Sequence, residues 1–247
     1  MQIRRAIVYE TMGDTTMQKA VVLLLLLKKR IVTSAIHEFS INKAAIIAEV
    51  SPNTIKRYLP IWEGMGMVDY QGVNSDILVM KKISSSTKHR NYAIDRLDFS
   101  SFKRLYNSYR EFLFLVIQSR KDYVKRLLRI AHDPRRGEDF KGARKACRQY
   151  AKTKAGEKTA IYHEYGLSYK KIARKIGVCV KTAQKIVSGT IKKRWCCKQR
   201  NFISFLLPSV NKMEIDGYTF TTHNYGYIIL ANTYTVSRSW GMALNRR

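Results

Sequence analysis

The sequence predicts a mainly α-helical fold with small β-hairpins, built as two helical modules that a long helical segment joins. In the longest segments, apolar residues recur at spacings of three and four, which is the period of an amphipathic helix. Only 4 prolines and 13 glycines occur in 247 residues, so few positions break helices or form flexible linkers. The hydrophobic fraction of 45% is ordinary for a globular chain and is sufficient for a core.

The same composition excludes several classes of protein. The longest run of large apolar residues, Val21 to Leu27, has seven residues, whereas a membrane-spanning helix needs about 20. We therefore expect no membrane association, and Glu10 and Asp14 argue against a signal peptide. The 4 cysteines form no Cys-x-x-Cys pair. Reduced thiols, no bound metal and a cytoplasmic location are the resulting expectations.

The N-terminal module, residues 1–96, begins with a buried helix. Residues 17–29 combine the apolar run with lysines at its end, and the hydroxyl of Thr15 or Thr16 is the expected cap, because it satisfies N–H groups of the first turn. Residues 31–39 fit either a strand or a helix. The module is therefore predicted to open with a helix, followed by a segment that fits two kinds of secondary structure.

Two further helices with a turn between them follow in this module. Ser40 is the expected cap of a short apolar helix at Ala44 to Ala48, and a turn is predicted at Glu49 to Ser51. Pro52 suits the first position of the next helix, where its missing N–H has no intrahelical partner to lose. That helix is expected to run to about Trp62.

Two short β-prone runs, Met67 to Tyr70 and Ile77 to Lys82, then predict a hairpin. Helix, turn, helix and hairpin is the order of a winged helix-turn-helix, with the hairpin as its wing. The segment SPNTIKRYLPIWEGMGMV resembles the recognition helix and wing of bacterial winged-helix DNA-binding proteins, and the resemblance covers about residues 16–83. The family usually has glycine in the turn, where this chain has Glu49; a left-handed backbone there costs about 1 kcal/mol.

The same spacing recurs 128 residues later, in GLSYKKIARKIGVCVKTAQKIVSGTIKKRW. Ser40 matches Ser168, and the turn residue Glu49 matches Gly177. In both repeats an alanine precedes the turn by four residues, where two helices must approach closely. The second repeat resembles the helix-turn-helix of sigma factors and resolvases. Two matches predict two DNA-binding modules; the alternative is a pair of helical hairpins that only pack.

Residues 97–135 form the connecting helical segment. Aromatic and aliphatic residues recur there mostly at three or four residues, which predicts one long amphipathic helix or two in series. We expect this segment to pack the two halves together, with dimerisation as the alternative. The charged stretch HDPRRGED, residues 132–139, is the expected boundary before the C-terminal domain, residues 136–247.

The composition becomes β-prone after Trp195. Residues 217–223 and 227–236 are predicted to pair as a hairpin, which is a candidate for the wing of the second module. The terminal segment SRSWGMALNRR carries three arginines. It is expected to be a frayed tail that touches phosphate.

The charge is large and concentrated. The chain carries 46 Lys and Arg against 18 Asp and Glu, a formal net charge of +28. Residues 1–140 hold 24 basic and 14 acidic side chains, residues 141–200 hold 18 and 2, and residues 201–247 hold 4 and 2. More than half of the excess therefore lies in sixty residues. Such a concentration attracts phosphate backbones, so double-stranded DNA is the expected partner.

The recognition helices indicate which residues meet DNA. In the first repeat Ile55 and Leu59 are expected to face the core; in the second, Val178, Ala183 and Val187 are. The DNA-binding residues expected in the first repeat are Ser51, Asn53, Thr54, Lys56 and Arg57. Those expected in the second are Lys181, Thr182, Gln184, Lys185 and Ser188, with Lys170, Lys171, Lys192, Lys193 and Arg194 on the phosphate backbone.

The chemistry of these side chains sets the expected contacts. Asn53 suits adenine and Arg57 suits guanine by bidentate geometry, whereas the hydroxyl groups of Ser51, Thr54 and Thr182 suit phosphate. Because the reading positions Asn53 and Arg57 correspond to Lys181 and Lys185 in the second repeat, the two half-sites are expected to differ in sequence. The site is then asymmetric for a monomer, or a long composite palindrome for a dimer.

No catalytic residue and no cofactor are expected. The histidines occur singly, no phosphate-binding loop of the type GxxxxGK[ST] is present, and the carboxylates are scattered. The favoured function is transcription regulation in a bacterium, phage or mobile element. The alternatives are a plasmid or phage replication initiator that binds origin repeats, and a nonspecific architectural or DNA-packaging protein. A homodimer, RNA polymerase and replication proteins are open as protein partners.

Overall fold

The computed structural model describes residues 1–31, 38–71, 77–86, 90–132, 167–204, 212–215, 218–223, 227–237, 239–240 and 244. Over these residues the chain is mainly α-helical, with seven helices and nine strands in small antiparallel sheets. The predicted fold class, mainly α with small antiparallel β structure, is confirmed at this level. Among these residues, none of the helices has both the length and the apolar composition needed to cross a bilayer.

The chain begins with strand β1 (Gln2–Arg4) and helix α1 (Arg5–Glu10), and helix α2 (Thr15–Arg30) follows. β1 pairs antiparallel with β5 (Asn91–Ala93).

The cap of α2 differs from the prediction, because neither Thr15 nor Thr16 supplies it. Asp14 does, and its carboxylate accepts hydrogen bonds from the backbone N–H groups of Thr16 and Met17, at 2.7 and 3.0 Å. A carboxylate that accepts two N–H groups at the positive end of a helix stabilises it more than a hydroxyl does.

Helices α3 (Ile41–Ala48) and α4 (Pro52–Gly64) form what we call the first helix pair. Ser40 caps α3 and Pro52 opens α4, as predicted, and α4 ends two residues later than Trp62.

The sheet beside the first helix pair has three antiparallel strands. β2 (Glu38–Ser40), β3 (Val68–Gln71) and β4 (Ile77–Met80) lie in the order β2-β4-β3. The pairing of β3 with β4 confirms the predicted hairpin, whose turn, residues 72–76, lies outside the described residues. Residues 31–39 were predicted to form either a strand or a helix. Glu38 and Phe39 belong to strand β2, and residues 32–37 lie outside the described residues.

Helices α6 (Tyr169–Ile176) and α7 (Val180–Lys192) form the second helix pair. Four strands follow it: β6 (Cys196–Ser204), β7 (Lys212–Ile215), β8 (Tyr218–His223) and β9 (Tyr227–Val236). They make a sheet of order β6-β9-β8-β7.

The predicted hairpin of the C-terminal half exists, but it is not the main pairing of its second strand. β8 pairs with β9 through two register positions, whereas β6 pairs with β9 along most of its length. The strand pair that follows the second helix pair is therefore β6 with β9, and β7 and β8 are inserted between them in sequence. The β propensity of β8 and β9 predicted strands correctly, but propensity carries no information about which strands pair.

The long connecting segment is a single helix, α5 (Phe102–His132). It is buried around its whole circumference over residues 111–119, because α2 packs on one side while α7 and β9 pack on the other. The hydrophobic core is continuous and includes residues of both helix pairs. The predicted boundary at residues 132–139 lies, apart from His132, outside the described residues.

The described part of the C-terminal segment is packed into the core, which corrects the expectation of a frayed tail. Trp240 is fully buried, and its ring lies 5.9 Å from that of Phe112 and 5.0 Å from that of Trp195. The carbonyl group of buried Leu244 accepts a hydrogen bond from the guanidinium of Arg5, at 3.1 Å. Burial of the indole and leucine surfaces outweighs the tendency of a terminal segment to fray. Three arginines of this segment lie outside the described residues: Arg238, Arg246 and Arg247.

Candidate nucleic-acid interface

The two helix pairs follow the same plan residue by residue, at a constant offset of 128 positions. α3 and α6 each have 8 residues, α4 and α7 each have 13, and three residues separate the helices within each pair. The caps also correspond, because the hydroxyls of Ser40 and Ser168 each accept a backbone N–H at 3.2 Å. The sequence repeat is therefore also a repeat of the backbone.

The turns of the two pairs have the same backbone geometry. Glu49 and Gly177 both lie in the left-handed region, with φ of 57° and 80°. In each pair, the N–H of the next residue donates to the carbonyl of a buried alanine five residues earlier, at 3.0 Å, and these alanines are Ala45 and Ala173. Small side chains at these positions permit the close approach of the helices.

Glu49 adopts a conformation that is unfavourable for any residue except glycine, and Arg30 offsets part of the cost. The guanidinium of Arg30 lies 2.9 Å from a carboxylate oxygen of Glu49 and also donates to the carbonyl of Ile47, at 2.6 Å. The second interaction satisfies a carbonyl in the last turn of α3, where no intrahelical partner is available.

The first helix pair exposes most of its predicted DNA-binding residues. Ser51, Asn53, Lys56 and Arg57 are exposed, and Thr54 is half-buried. The two residues expected to face the core, Ile55 and Leu59, are buried. The hydroxyls of Ser51 and Thr54 bond to each other at 2.9 Å, and the Ser51 hydroxyl also accepts the N–H of Thr54 at 3.3 Å.

The second helix pair exposes a stripe along α7. Lys181, Gln184, Lys185 and Ser188 are exposed, and Thr182 is half-buried. Their spacing of three, four and seven residues places the four exposed side chains on one face of the helix. Of the three residues predicted to point inward, Ala183 and Val187 are buried and Val178 is half-buried.

The predicted phosphate contacts surround this stripe. Lys170, Lys192 and Arg194 are exposed, and Lys171 is half-buried. Arg194 has φ of 55°, the left-handed conformation that Gly66 adopts at the equivalent position. The chain thus has an arginine where the backbone favours glycine, directly after α7.

Lys193, which we expected to contact phosphate, has a partner within the protein. Its ammonium lies 2.6 Å from a carboxylate oxygen of Glu111 on α5 and 4.7 Å from the centre of the Trp195 ring. The Glu111 side chain is only 10% exposed; burial raises its pKa, and the bond to Lys193 opposes that rise. Lys193 therefore attaches the end of α7 to α5.

The charges of the two helix pairs differ strongly. Residues 167–199 contain ten basic and no acidic side chains, whereas residues 38–71 contain three basic and four acidic ones. At eight of the ten basic positions the first pair has an uncharged residue. The charged residues replaced in this way include Lys170 by Asn42, Arg174 by Ile46, Lys181 by Asn53, Lys192 by Gly64 and Lys198 by Tyr70.

Sequence reasoning missed several residues of this surface. Arg174 and Lys198 are exposed, and Lys198 donates to the phenolic oxygen of Tyr169 at 3.0 Å. Both belong to the concentration of basic residues between positions 141 and 200, which was the sequence signal for them. Val180 is 43% exposed at the first position of α7, and no sequence signal separates such a valine from a core residue.

Cys179 occupies the cap position of α7, where the first pair has Ser51. Its sulfur lies 3.2 Å from the hydroxyl oxygen of Thr182, which repeats the contact between Ser51 and Thr54. The hydrogen bond with Thr182 lowers the pKa of this exposed thiol.

No group of three His, Cys, Asp or Glu side chains in the described part of the chain is placed to hold a metal ion. Comparison of the chain with protein-family models, curated proteins and solved structures finds no match.

Proposed function

We propose that this protein binds double-stranded DNA with sequence preference, through the second helix pair acting as a helix-turn-helix with α7 as the recognition helix. The observation that carries the proposal is the combination of this geometry with ten basic and no acidic side chains over residues 167–199. A concentration of positive charge on an exposed helix face attracts the phosphate backbone of DNA.

The exposed stripe on α7 supports insertion into the major groove. The groove is about 12 Å wide and admits one helix, and a recognition helix contacts bases through residues near its N-terminus. Lys181, Gln184 and Lys185 lie there. Lysine suits the acceptor atoms of guanine, glutamine suits adenine, and the exposed Val180 suits a thymine methyl group.

The basic residues on both sides of the stripe would hold the phosphate backbones. Lys170 and Arg174 lie on α6. Lys192 is the last residue of α7, Arg194 lies two residues beyond it, and Lys198 lies on β6. Such contacts position the protein without selecting a sequence. Because residues 38–71 have a net charge of 3 − 4 = −1, the first helix pair contributes little of this affinity.

Control of transcription in a bacterium, phage or mobile element is the role that we propose for this binding, with action in the cytoplasm, where such cells keep their DNA. An architectural protein that coats DNA without sequence preference is the main competing function. The two differ in one measurable property, because nonspecific binding is lost at raised salt whereas a specific complex persists.

The test is selection of bound duplexes from a random pool by the full chain, followed by anisotropy titrations of the enriched duplex at several salt concentrations. Lys185→Ala should cost about 1–3 kcal/mol at one base position, and Lys192→Ala should weaken all sequences evenly and reduce the salt slope by about 1.

Arg57→Ala is the matched control, since Arg57 occupies the position of the first helix pair that corresponds to Lys185. It should change affinity much less than Lys185→Ala. A pool without enrichment, or equal effects of the two substitutions, would contradict the assignment of sequence preference to α7.

A further inference from the structure

The first helix pair has the backbone of the second but a surface of a different kind. Three basic and four acidic residues occur between residues 38 and 71, in a chain whose net charge is +28. Acidic Glu49 is paired with Arg30, and Asp69 lies 2.5 Å from the ammonium of Lys81. The surface is thus close to neutral, and two of its four acidic groups are in ion pairs.

An exposed isoleucine marks this surface. Ile46, on the outer side of α3, is 77% exposed. Among the described residues it is the large hydrophobic side chain with the greatest exposure. The corresponding residue of the second helix pair is the charged Arg174, so the helix position itself does not require an apolar side chain.

An open cleft lies directly beside Ile46. Its volume is about 500 Å³, and it is lined by seven residues of α3, the turn and the start of α4. Its lining residues are the apolar Ala45, Ile46, Val50 and Pro52 and the polar Asn42, Glu49 and Ser51. A protruding apolar side chain next to a cleft is self-complementary, because a two-fold axis places each isoleucine at the cleft of the other molecule.

We propose that a second molecule of this chain docks at this cleft when two molecules occupy neighbouring DNA sites. This inference rests on the DNA-binding function proposed above. Two molecules of charge +28 repel each other over most of their surface. The first helix pair has a net charge of −1 over residues 38–71, so two molecules can approach there at low electrostatic cost.

The size of the patch indicates why DNA is needed. Seven residues line the cleft, whereas a stable interface uses about 20–30 residues a side. The contact is therefore weak between free molecules. DNA raises the effective concentration of the second molecule, and a weak contact then becomes cooperative binding.

The experiment compares full-length protein on duplexes that carry one or two of the selected sites, with the spacing and relative orientation of the two sites varied. For the wild type, occupation of one site should tighten binding at the other by about 5–150-fold at the favoured arrangement. Ile46→Glu and Ile46→Arg, which introduce charges of opposite sign, should both remove this cooperativity and leave the single-site affinity unchanged.

Two controls separate the contact from charge and from folding. Asn107→Asp adds the same charge as Ile46→Glu at an exposed position on α5 and should keep cooperativity, as should the conservative Ile46→Val. Independent binding by the wild type at every arrangement, or unchanged cooperativity in both charged variants, would overturn the inference while single-site binding stands. If the wild type showed no sequence-selective binding to a single site, the proposed DNA-binding function itself would be overturned.

Discussion

Gly177 and Gly13 pack backbone against backbone, between the turn of the second helix pair and the loop that precedes α2. A Cβ atom on Gly177 would lie 2.2 Å from the carbonyl oxygen of Gly13, which is closer than Cβ atoms in proteins approach other heavy atoms. Beside this contact, the amide of Gln18 donates to the carbonyl of Ile176 at 2.6 Å. The two contacts together fix the second helix pair against the N-terminal part of the protein.

Gly177→Ala should destabilise the protein by about 2–5 kcal/mol. The left-handed φ of 80° contributes about 1–2 kcal/mol of this, and overpacking against Gly13 contributes about 1–3 kcal/mol. Gly66→Ala is the matched control. Its φ is 61°, but a Cβ atom there would meet nothing within 4 Å, so we expect only the cost of the left-handed backbone. Urea unfolding measures both, and equal losses would show that the contact with Gly13 is not needed.

Glu49→Gly should leave the free energy of unfolding within about 1 kcal/mol of the wild type. Glycine relieves about 1–2 kcal/mol of left-handed strain, but it loses an exposed ion pair with Arg30 worth about 0–1 kcal/mol and makes the unfolded chain more flexible. Glu49→Gln, which keeps the strain and removes the charge, isolates the ion pair in the same denaturation assay. If Glu49→Gly lowered the free energy of unfolding by more than about 2 kcal/mol, the ion pair with Arg30 would stabilise the protein far more than a surface ion pair usually does.

The local plan of both helix pairs is predictable because its signals are local. Ser40, Pro52 and Gly177 each act on their own turn of backbone, so spacing alone finds the caps and the turns. The cap of α2 was missed because Asp14 competes with two adjacent threonines, and a carboxylate outweighs a hydroxyl at that position. Trp240 packs against Trp195 and Phe112, which are 240 − 195 = 45 and 240 − 112 = 128 positions away, and no local pattern reports such contacts.

The contacts within the candidate site are less predictable from the sequence than the helices and turns that position its residues. The bond between Lys193 and Glu111 spans 82 positions and forms only because α5 packs against α7. The predicted base contacts covered both repeats, since apolar spacing defined both of them, whereas the charge count already assigned most of the excess to residues 141–200. The slightly negative balance of residues 38–71 appears only when charge is counted within the bounds of that helix pair, because residues 1–140 as a whole have a positive balance.

Cys179 should react with iodoacetamide faster than Cys196. The hydrogen bond with Thr182 lowers the pKa of the exposed Cys179 thiol, whereas burial raises the pKa of Cys196. The reactive thiolate of Cys179 therefore appears at lower pH. Peptide mass spectrometry between pH 6 and 9 gives the rate at each site.

The same labelling reaction tests the interface. Selected duplex should slow the alkylation of Cys179, because α7 lies in the groove in the proposed complex. Cys179→Ser is the control for assignment of the labelled peptide, and it retains a hydroxyl cap like that of Ser51. Labelling of Cys179 at the same rate with and without saturating DNA would place α7 outside the complex.

Stability should fall with rising pH through the titration of Glu111. Burial raises its pKa above that of a free glutamate, so between the two values the folded protein holds a proton that the unfolded chain has released. The slope of unfolding free energy against pH is then negative in this window. Glu111→Gln should remove that slope in urea unfolding from about pH 4.5 upward, and Glu63→Gln, at an exposed position, should leave it in place. A slope that persists in Glu111→Gln would assign it to another group.

The shared position of α5 has a consequence for how the molecule opens. Its residues 111–119 are buried on all sides by elements of both halves, so neither half separates without exposing the apolar surface of the same helix. We therefore expect the two halves to unfold as one cooperative unit, in which the amide hydrogens of residues 111–119 exchange with solvent only through global unfolding. The two surfaces of different charge therefore keep a fixed orientation relative to each other for as long as the protein stays folded.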